Sequence, residues 1–324
     1  MMLSRVADHL YWMSRYLERA EHTARLIDVF FNVILEQAPE RASRHWDRLL
    51  DCLEFGSTFS ELEAEGWDAY RLTQALTFDR DNASSILSCI SGARDNARQV
   101  RELISSEMWQ EINRLYLSVQ ESRRDEELGA HPHEFYQTIK EGAQLFQGIT
   151  DSTTYRGQGW HFIQLGRFIE RAGSLAILLD VHFERRDEAE YLDWVALLKC
   201  CTAFEAFCKV YSAELVPSRI VQFLLMNSEF PHSVRFSVDR IDRAIGRIGE
   251  SALGVETTRV QRQAGRLVSQ LRFGTLEEVL ESGLGPFLHD IRSRLVEIHD
   301  AVYQAYIAYP IEQALEANRP GAFW

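Results

Sequence analysis

The chain has 324 residues, 46% of them hydrophobic, and a formal net charge of −13. That length can bury a large core, as one big domain or as two fused halves. The negative charge repels phosphate backbones and excludes a general nucleic-acid binder, though not a local basic pocket for an anion.

The five cysteines are odd in number and include no Cys-x-x-Cys pair. They sit mostly in apolar stretches and read as buried thiols in a reducing compartment, not as a disulfide frame or a zinc site. The opening Met-Met-Leu-Ser-Arg-Val-Ala-Asp-His is charged too early for a secretory leader, and no run of about 18 apolar residues suggests a membrane span. The cytoplasm is therefore the expected location.

The first predicted helix runs over about residues 3–37. Val6, Leu10, Met13, Leu17, Ala20, Ala24, Ile27, Phe31 and Ile34 alternate four and three apart, which is one apolar seam. Trp12, Tyr16, Arg19, Thr23, Leu26, Phe30 and Val33 form a second stripe beside it, so more than one neighbour is expected. Arg19 lies inside that stripe. Glu18 reads as polar-side, one turn from Arg15 and His22. A short helix follows at 46–52 and another at 67–77. Asp81-Asn82-Ala-Ser-Ser then caps a helix through Ile86, Ile90, Ala93, Ala97, Val100 and Ile104. Ser105-Ser106 reads as a kink or a fresh cap before a helix to about Ser122. The polar run from Arg123 to Pro132 marks a connector, and a helix over about 133–150 joins the halves.

A second long helix is expected over about 160–185, and it repeats the first. Over the 21 positions from His9 to Val29, nine residues recur 152 positions later. They include His9/His161, Arg15/Arg167, Glu18/Glu170, Arg19/Arg171 and Asp28/Asp180. At a shift of 148, Trp46 to Cys52 matches Trp194 to Cys200, Gln74 matches Gln222, and Ser85 matches Ser233. Three matches in order suggest two homologous helical bundles about a pseudo-twofold axis: a first repeat over 1–124, a connector over 125–157, and a second repeat with C-terminal helices over 158–324. Tail helices are expected at about 257–273, 276–281 and 287–309. Sustained period-two alternation is absent, so the expected class is all-α.

The repeated Glu-Arg pairs are the main chemical feature. An arginine set twice in an apolar stripe needs a carboxylate, helix carbonyls or an anionic ligand. One reading pairs Glu18 and Arg19 with Glu170 and Arg171 across the pseudo-dyad as a buried register pin. A second makes Arg15, Arg19, Arg167 and Arg171 an anion or substrate pocket, with Glu18, His22 or Glu170 as proton-transfer candidates. A third leaves them as exposed surface pairs. His9 and His161 face inward and read as satisfied core histidines, and Asp28 and Asp180 are candidate partners for the arginines. Glu18 and His22 are four apart and Ser174 replaces the second histidine, so the di-iron bundle signature is not met. His131-x-His133 is a weak metal pair. No metal or cofactor is expected. Arg94, Arg98 and Arg101 share one helix face, either as a solvated row or as a phosphate or acidic-surface site.

The stretch from Leu3 to Leu26, Gly166-Arg-Phe-Ile-Glu-Arg-Ala172, Ala93 to Arg101, and Ser106-Glu-Met-Trp109 together resemble the bacterial alpha-E domain family. The resemblance covers nearly the whole chain. It implies an all-helical fold, with the family's Glu and Arg at Glu18-Arg19 and Glu170-Arg171. It also implies a setting beside ATP-grasp amide-ligase-like and transglutaminase-like proteins, in a system that makes or processes a small peptide or amide metabolite. Two functions follow as expectations. One is a non-catalytic accessory protein docking on an ATP-grasp amide-ligase-like or transglutaminase-like partner. The other is an enzyme or binder with an inter-repeat pocket for a carboxylate-bearing substrate. Neither nucleic acid nor a membrane is an expected partner; an oligomer is possible.

Overall fold

The computed structural model describes residues 4–35, 39–124, 132–184, 186, 189–212, 214–250 and 255–308. Every regular element among them is helical. In chain order these are α1 (Ser4–Leu35), α2 (Pro39–Cys52), α3 (Phe59–Ala64), α4 (Ala69–Phe78), α5 (Ile86–Gln99), α6 (Ser106–Arg124), α7 (Pro132–Thr153) and α8 (Gln158–Glu184). Then come α9 (Tyr191–Cys200), α10 (Phe204–Tyr211), α11 (Pro217–Met226), α12 (Val234–Gly249), α13 (Val255–Phe273), α14 (Leu276–Ser282) and α15 (Leu284–Tyr303). A π-helical turn over Gln304–Ala308 follows α15.

The starts follow local chemistry. Ser85 and Ser233 hold extended backbone before α5 and α12, and each side chain accepts from the amide three residues on. That satisfies one of the orphan donors of a first turn. Thr58 with Glu61, and Thr275 with Glu278, form reciprocal capping boxes at α3 and α14. Ser105 Oγ accepts from the Met108 amide, so α6 begins on a fresh cap. The helix expected to continue through Ile104 stops at Gln99 instead. Val100 leaves helical geometry, and residues 100–104 turn toward the new cap. The helices α3 and α10 were not anticipated, being too short for a periodic pattern to register.

Two long helices organise the rest. Contacts between α1 and α8 climb in step: Tyr11 lies against Gly166, Arg171 reaches Glu18, and the rings of Phe30 and His182 lie 6.1 Å apart. The two helices therefore run parallel. A Cβ on Gly166 would collide with the Tyr11 carbonyl oxygen, so the closest backbone approach requires glycine there. Around α1 pack α5 and α7; around α8 pack α12 and α15. Arg48 on α2 is ion-paired with Asp193 on α9, and α2 also touches α8 while α9 touches α1. The helix Pro132–Thr153, expected as a connector, lies along α1 and contributes Tyr136, Ile139, Ala143 and Phe146 to the core. The core is continuous, with Met13, Ala20 and Ile27 of α1 and Leu165, Ala172 and Leu179 of α8 at its centre.

His131, Pro310 and Trp324 lie outside the described residues. Among the described residues, no helix is long and apolar enough to cross a membrane, and no group of three or more His, Cys, Asp or Glu side chains is placed to hold a metal ion.

The cysteines give the first testable consequence. Cys52, Cys89, Cys200 and Cys201 are buried, and burial pushes each thiol upward; Cys208 is half-buried. Thiolate, not thiol, reacts with a disulfide reagent. In the native protein, Ellman's reagent should titrate only Cys208 rapidly and reach all five thiols after denaturation. Rapid modification of two or more native thiols would show a core looser than described.

Candidate functional site

Three residues of α1 and three of α8 meet where the helices run closest, and they pair across the gap. Arg171 donates to Glu18 through Nε at 2.5 Å and Nη2 at 3.0 Å. Arg15 and Arg19 both reach Glu170, through Nε at 2.8 and 2.5 Å. Each carboxylate is thus held by arginines of the other helix. Arg167 stands 3.8 Å from Glu18 and over the Phe168 ring. Neighbouring helices complete the set. Gln147 of α7 donates to Glu18 at 3.1 Å, and Arg171 donates to the Pro231 carbonyl at 3.2 Å. On the other side His299 of α15 shares a 2.8 Å hydrogen bond with the Tyr11 hydroxyl. Arg15 donates to both groups at 3.4 Å and lies over the Trp12 ring.

Glu18 is therefore not on a polar face. It is 4% exposed, on a face that neither apolar stripe marks but that α7 and α8 cover. The two arginines of the motif also differ: Arg171 is 3% exposed and Arg19 26%. Asp28 and Asp180 do not serve the motif arginines. Asp28 accepts from Lys140 at 2.6 Å and from His133 at 2.7 Å, while Asp180 lies near Arg292. Arg94 donates to Asn113 and stacks over Tyr116, Arg94 and Arg101 both lie over the Trp109 ring, and Arg98 pairs apart from them with Asp95 in solvent. His9 donates from Nδ1 to Asn96 Oδ1 at 2.8 Å. The expectation that both inward histidines are satisfied fails at His161, whose buried Nδ1 has no hydrogen-bond partner.

Gln147, His299 and Tyr11 escaped the sequence reading. The usable signal was there: at the same shift of 152, Lys140 falls on Arg292 and Gln147 on His299, so the helices flanking the motif carry polar residues at matching places.

The electrostatics follow from burial. Burial alone would raise the Glu18 carboxyl, but Arg171 and Arg167 outweigh it and hold the group below the ordinary range. Arg15 and Arg19 do the same for Glu170 against its burial. Arg167 is the least compensated cation, lowered to about 10 by burial and then by Arg171. His22, one turn from Glu18, is half-buried, and desolvation drives it down to about 4 despite the carboxylate beside it. The site therefore holds two fixed anions, four cations and a neutral imidazole.

Access differs between the two sides. Beside Glu18 the opening measures about 10 Å³, room for a single water. Beside Glu170 a cavity of about 220 Å³ reaches Arg15, Arg19, His299 and Arg292. It opens where α8 carries Gly173 and Ser174; the places 152 residues earlier hold Glu21 and His22.

The buried pair carries a stability cost when broken. Arg171→Ala leaves Glu18 with only the distant Arg167 and Gln147, and should lower unfolding free energy by about 3–5 kcal/mol. Arg19→Ala should cost less, because Arg15 still holds Glu170. Urea unfolding of both variants checks the order, and equal midpoints would contradict the pairing described.

Acid adds a second test. His22 and His182 both sit at about 4 in the fold, against about 6.5 unfolded. Between those values the unfolded chain binds protons that the folded chain refuses, so stability falls as pH drops through that window, by on the order of 3 kcal/mol for each histidine. The lowered carboxylates Glu18 and Glu170 act in the same direction below about 4.5. Urea midpoints measured from pH 7 to pH 4.5 should fall, and the fall should shrink in His22→Gln. An unchanged slope in that variant would place His22 in contact with solvent.

A family model described as a predicted alpha-helical domain with a conserved ER motif matches residues 2–307. An uncharacterized protein of Mycobacterium bovis is 23% identical over 332 aligned positions, covering 94% of this chain and 37% of its own. Two uncharacterized proteins of Mycobacterium tuberculosis strains align over the same length at 23% and 22% identity. This chain spans 37% of the length of these relatives. No solved structure matches.

Proposed function

The chain belongs to the Alpha-E family of helical domains, and from that premise we propose that it is a non-catalytic helical accessory module of a cytoplasmic, ATP-grasp amide-ligase-like system. The observation that carries this reading is the closure of the Glu-Arg motifs on each other. Glu18 is ion-paired to Arg171, Glu170 to Arg15 and Arg19, and the adjacent half-buried His22 has its Nε2 shielded from solvent. A general acid or base needs reach to a substrate proton and a pKa near the working pH. Neither carboxylate combines the two: both are lowered and held by fixed forks. The length of the relatives also favours a module, since the matched region makes up 37% of each and stands joined to further chain.

The same reading includes an internal duplication. Its support is the shared neighbourhood: α5 and α7 flank α1, and α12 and α15 flank α8. Lys140 lies on Asp28 where Arg292 lies near Asp180. On this view the first unit extends through Thr153, because α7 stands to α1 as α15 stands to α8, and the second covers 158–308.

The cavity beside Glu170 favours a second reading, a binder of a carboxylate-bearing small molecule at Arg15, Arg19 and His299. Its arginines already face a carboxylate of the chain, which makes it the weaker of the two.

Affinity purification of the tagged full chain, co-expressed with an ATP-grasp amide-ligase-like protein of the same genome, tests the accessory role. Recovery of the ligase-like protein in a fixed ratio is the expected result. Recovery of neither it nor a transglutaminase-like protein would reject the accessory reading, and a carboxylate compound copurifying with the chain alone would favour the binder.

A further inference from the structure

A second polar site lies away from the Glu-Arg motifs, between the first turn of α8 and the outer face of α12. A cavity of about 320 Å³ is lined there by Trp160, His161, Gln164, Arg240, Arg243 and Arg247, with Glu250 at its rim. The three arginines are spaced three and four apart, so they share one helix face. Like charges at that spacing destabilise a helix unless something neutralises them. Arg247 is paired with Glu250 at 3.2 Å. Arg240 stacks over Phe236, and neither Arg240 nor Arg243 makes an ion pair among the described residues. Arg156 adds a further cation nearby, 4.3 Å over the Trp160 ring, though it is paired with Asp151.

The matching place on the other long helix shows what this site has given up. His9 on α1 donates from Nδ1 to Asn96 on α5, and Asn96 in turn donates to the Gly92 carbonyl at 2.8 Å. At a shift of 148, Asn96 falls on Ala244, which lines the cavity beside His161. The same shift places Arg240, Arg243 and Arg247 on Gly92, Asp95 and Gln99. So one histidine has its amide partner and uncharged or acidic neighbours. The other has lost the partner, its Nδ1 is buried and unbonded, and three arginines stand around the space.

We propose that this cavity binds a small phosphate monoester, its oxygens taken by Arg240 and Arg243 with His161 and Gln164 as further hydrogen-bonding groups. Three guanidiniums against one rim carboxylate leave two positive charges, which match the charge of about −1.5 to −2 on a phosphate monoester near neutral pH. Arginine's planar fork suits phosphate oxygens better than a point cation does. The volume is at the lower end of small-molecule pockets, enough for a phosphate and a compact organic body against Trp160. The net charge of −13 keeps polyanions away from the molecule as a whole, so the ligand is small and its site local. This site is independent of the accessory role, and its failure would leave that role untouched.

Isothermal titration calorimetry of the full chain at constant ionic strength tests the assignment, with phenyl phosphate as probe and succinate as the dicarboxylate comparison. Phenyl phosphate should bind saturably, and succinate should bind at least about tenfold more weakly. Arg243→Ala should weaken phenyl phosphate about tenfold, while Arg219→Ala, an equal loss of charge elsewhere, should leave it unchanged. Ala244→Asn restores to His161 the partner that His9 has and should weaken binding without altering charge. Arg243 is exposed, so its variant tests the site even if the buried Ala244 substitution fails to fold. Absence of saturable binding, succinate binding as tightly, or an Arg243→Ala affinity equal to that of the starting protein would each overturn the proposal.

Discussion

Everything in this fold depends on the exchange of carboxylates between two parallel helices. Glu18 of α1 is held by α8, and Glu170 of α8 is held by α1. The alternative for two long apolar helices is simple sliding contact, in which a shift of one turn still buries Leu against Leu. Ion pairs remove that freedom. A slip by a turn would take Arg171 off Glu18; even where Arg167, one turn earlier, took over that carboxylate, Arg171 would be left buried without its partner, which costs far more than an imperfect apolar contact. Gly166 acts with the pairs, because its missing side chain lets the backbones approach at one height only. Such a device trades some stability for a single register, since replacing a buried ion pair by well-packed apolar groups is often neutral or favourable.

The two sides of the crossing share a plan but are filled differently. Around Glu18 the space is occupied by the buried Glu21 and Arg25 and the half-buried His22. Around Glu170 the corresponding places hold Gly173, Ser174 and Ile177, and a cavity remains. The outer helices diverge in the same manner, with Asn96 closing one histidine and Ala244 leaving the other open. The frame tolerates these exchanges because the pairs that set the register lie deeper than the places that vary. Only where a pin is not involved can a side chain shrink and leave usable space.

Much of this was legible in the sequence. The long helices announced themselves because their apolar seams run for many turns, and the match of Glu18-Arg19 to Glu170-Arg171 named the residues that meet. Pairing across the two helices was one of three open alternatives, since a repeat tells which residues are equivalent but not which ones touch. Glu18 was misplaced for a physical reason: two apolar stripes mark the faces met by apolar neighbours, whereas Glu18 lies on a face that α7 and α8 cover with polar groups, Gln147 and Arg171. The short α3 and α10 were invisible because one or two turns do not establish a period. Gln147 and His299 bond to the motif from 129 and 284 residues away from their partners, and Tyr11 meets His299 from 288 residues away, and no local pattern marks such distant meetings.

The depth of the pins also bears on where function can sit. A buried carboxylate held by two arginines cannot move a proton or release a fork without loosening the contact that joins α1 to α8. Chemistry at Glu18 or Glu170 would therefore be coupled to the integrity of the whole bundle, and each turnover would disturb the register. Groups at the periphery carry no such burden. Arg240 and Arg243 of α12 stand free of ion pairs among the described residues, while α8 and α12 are packed through the rings of Phe168 and Phe236. A helical frame locked at its centre and variable at its edges suits a module that holds its shape while its surface meets partners and ligands.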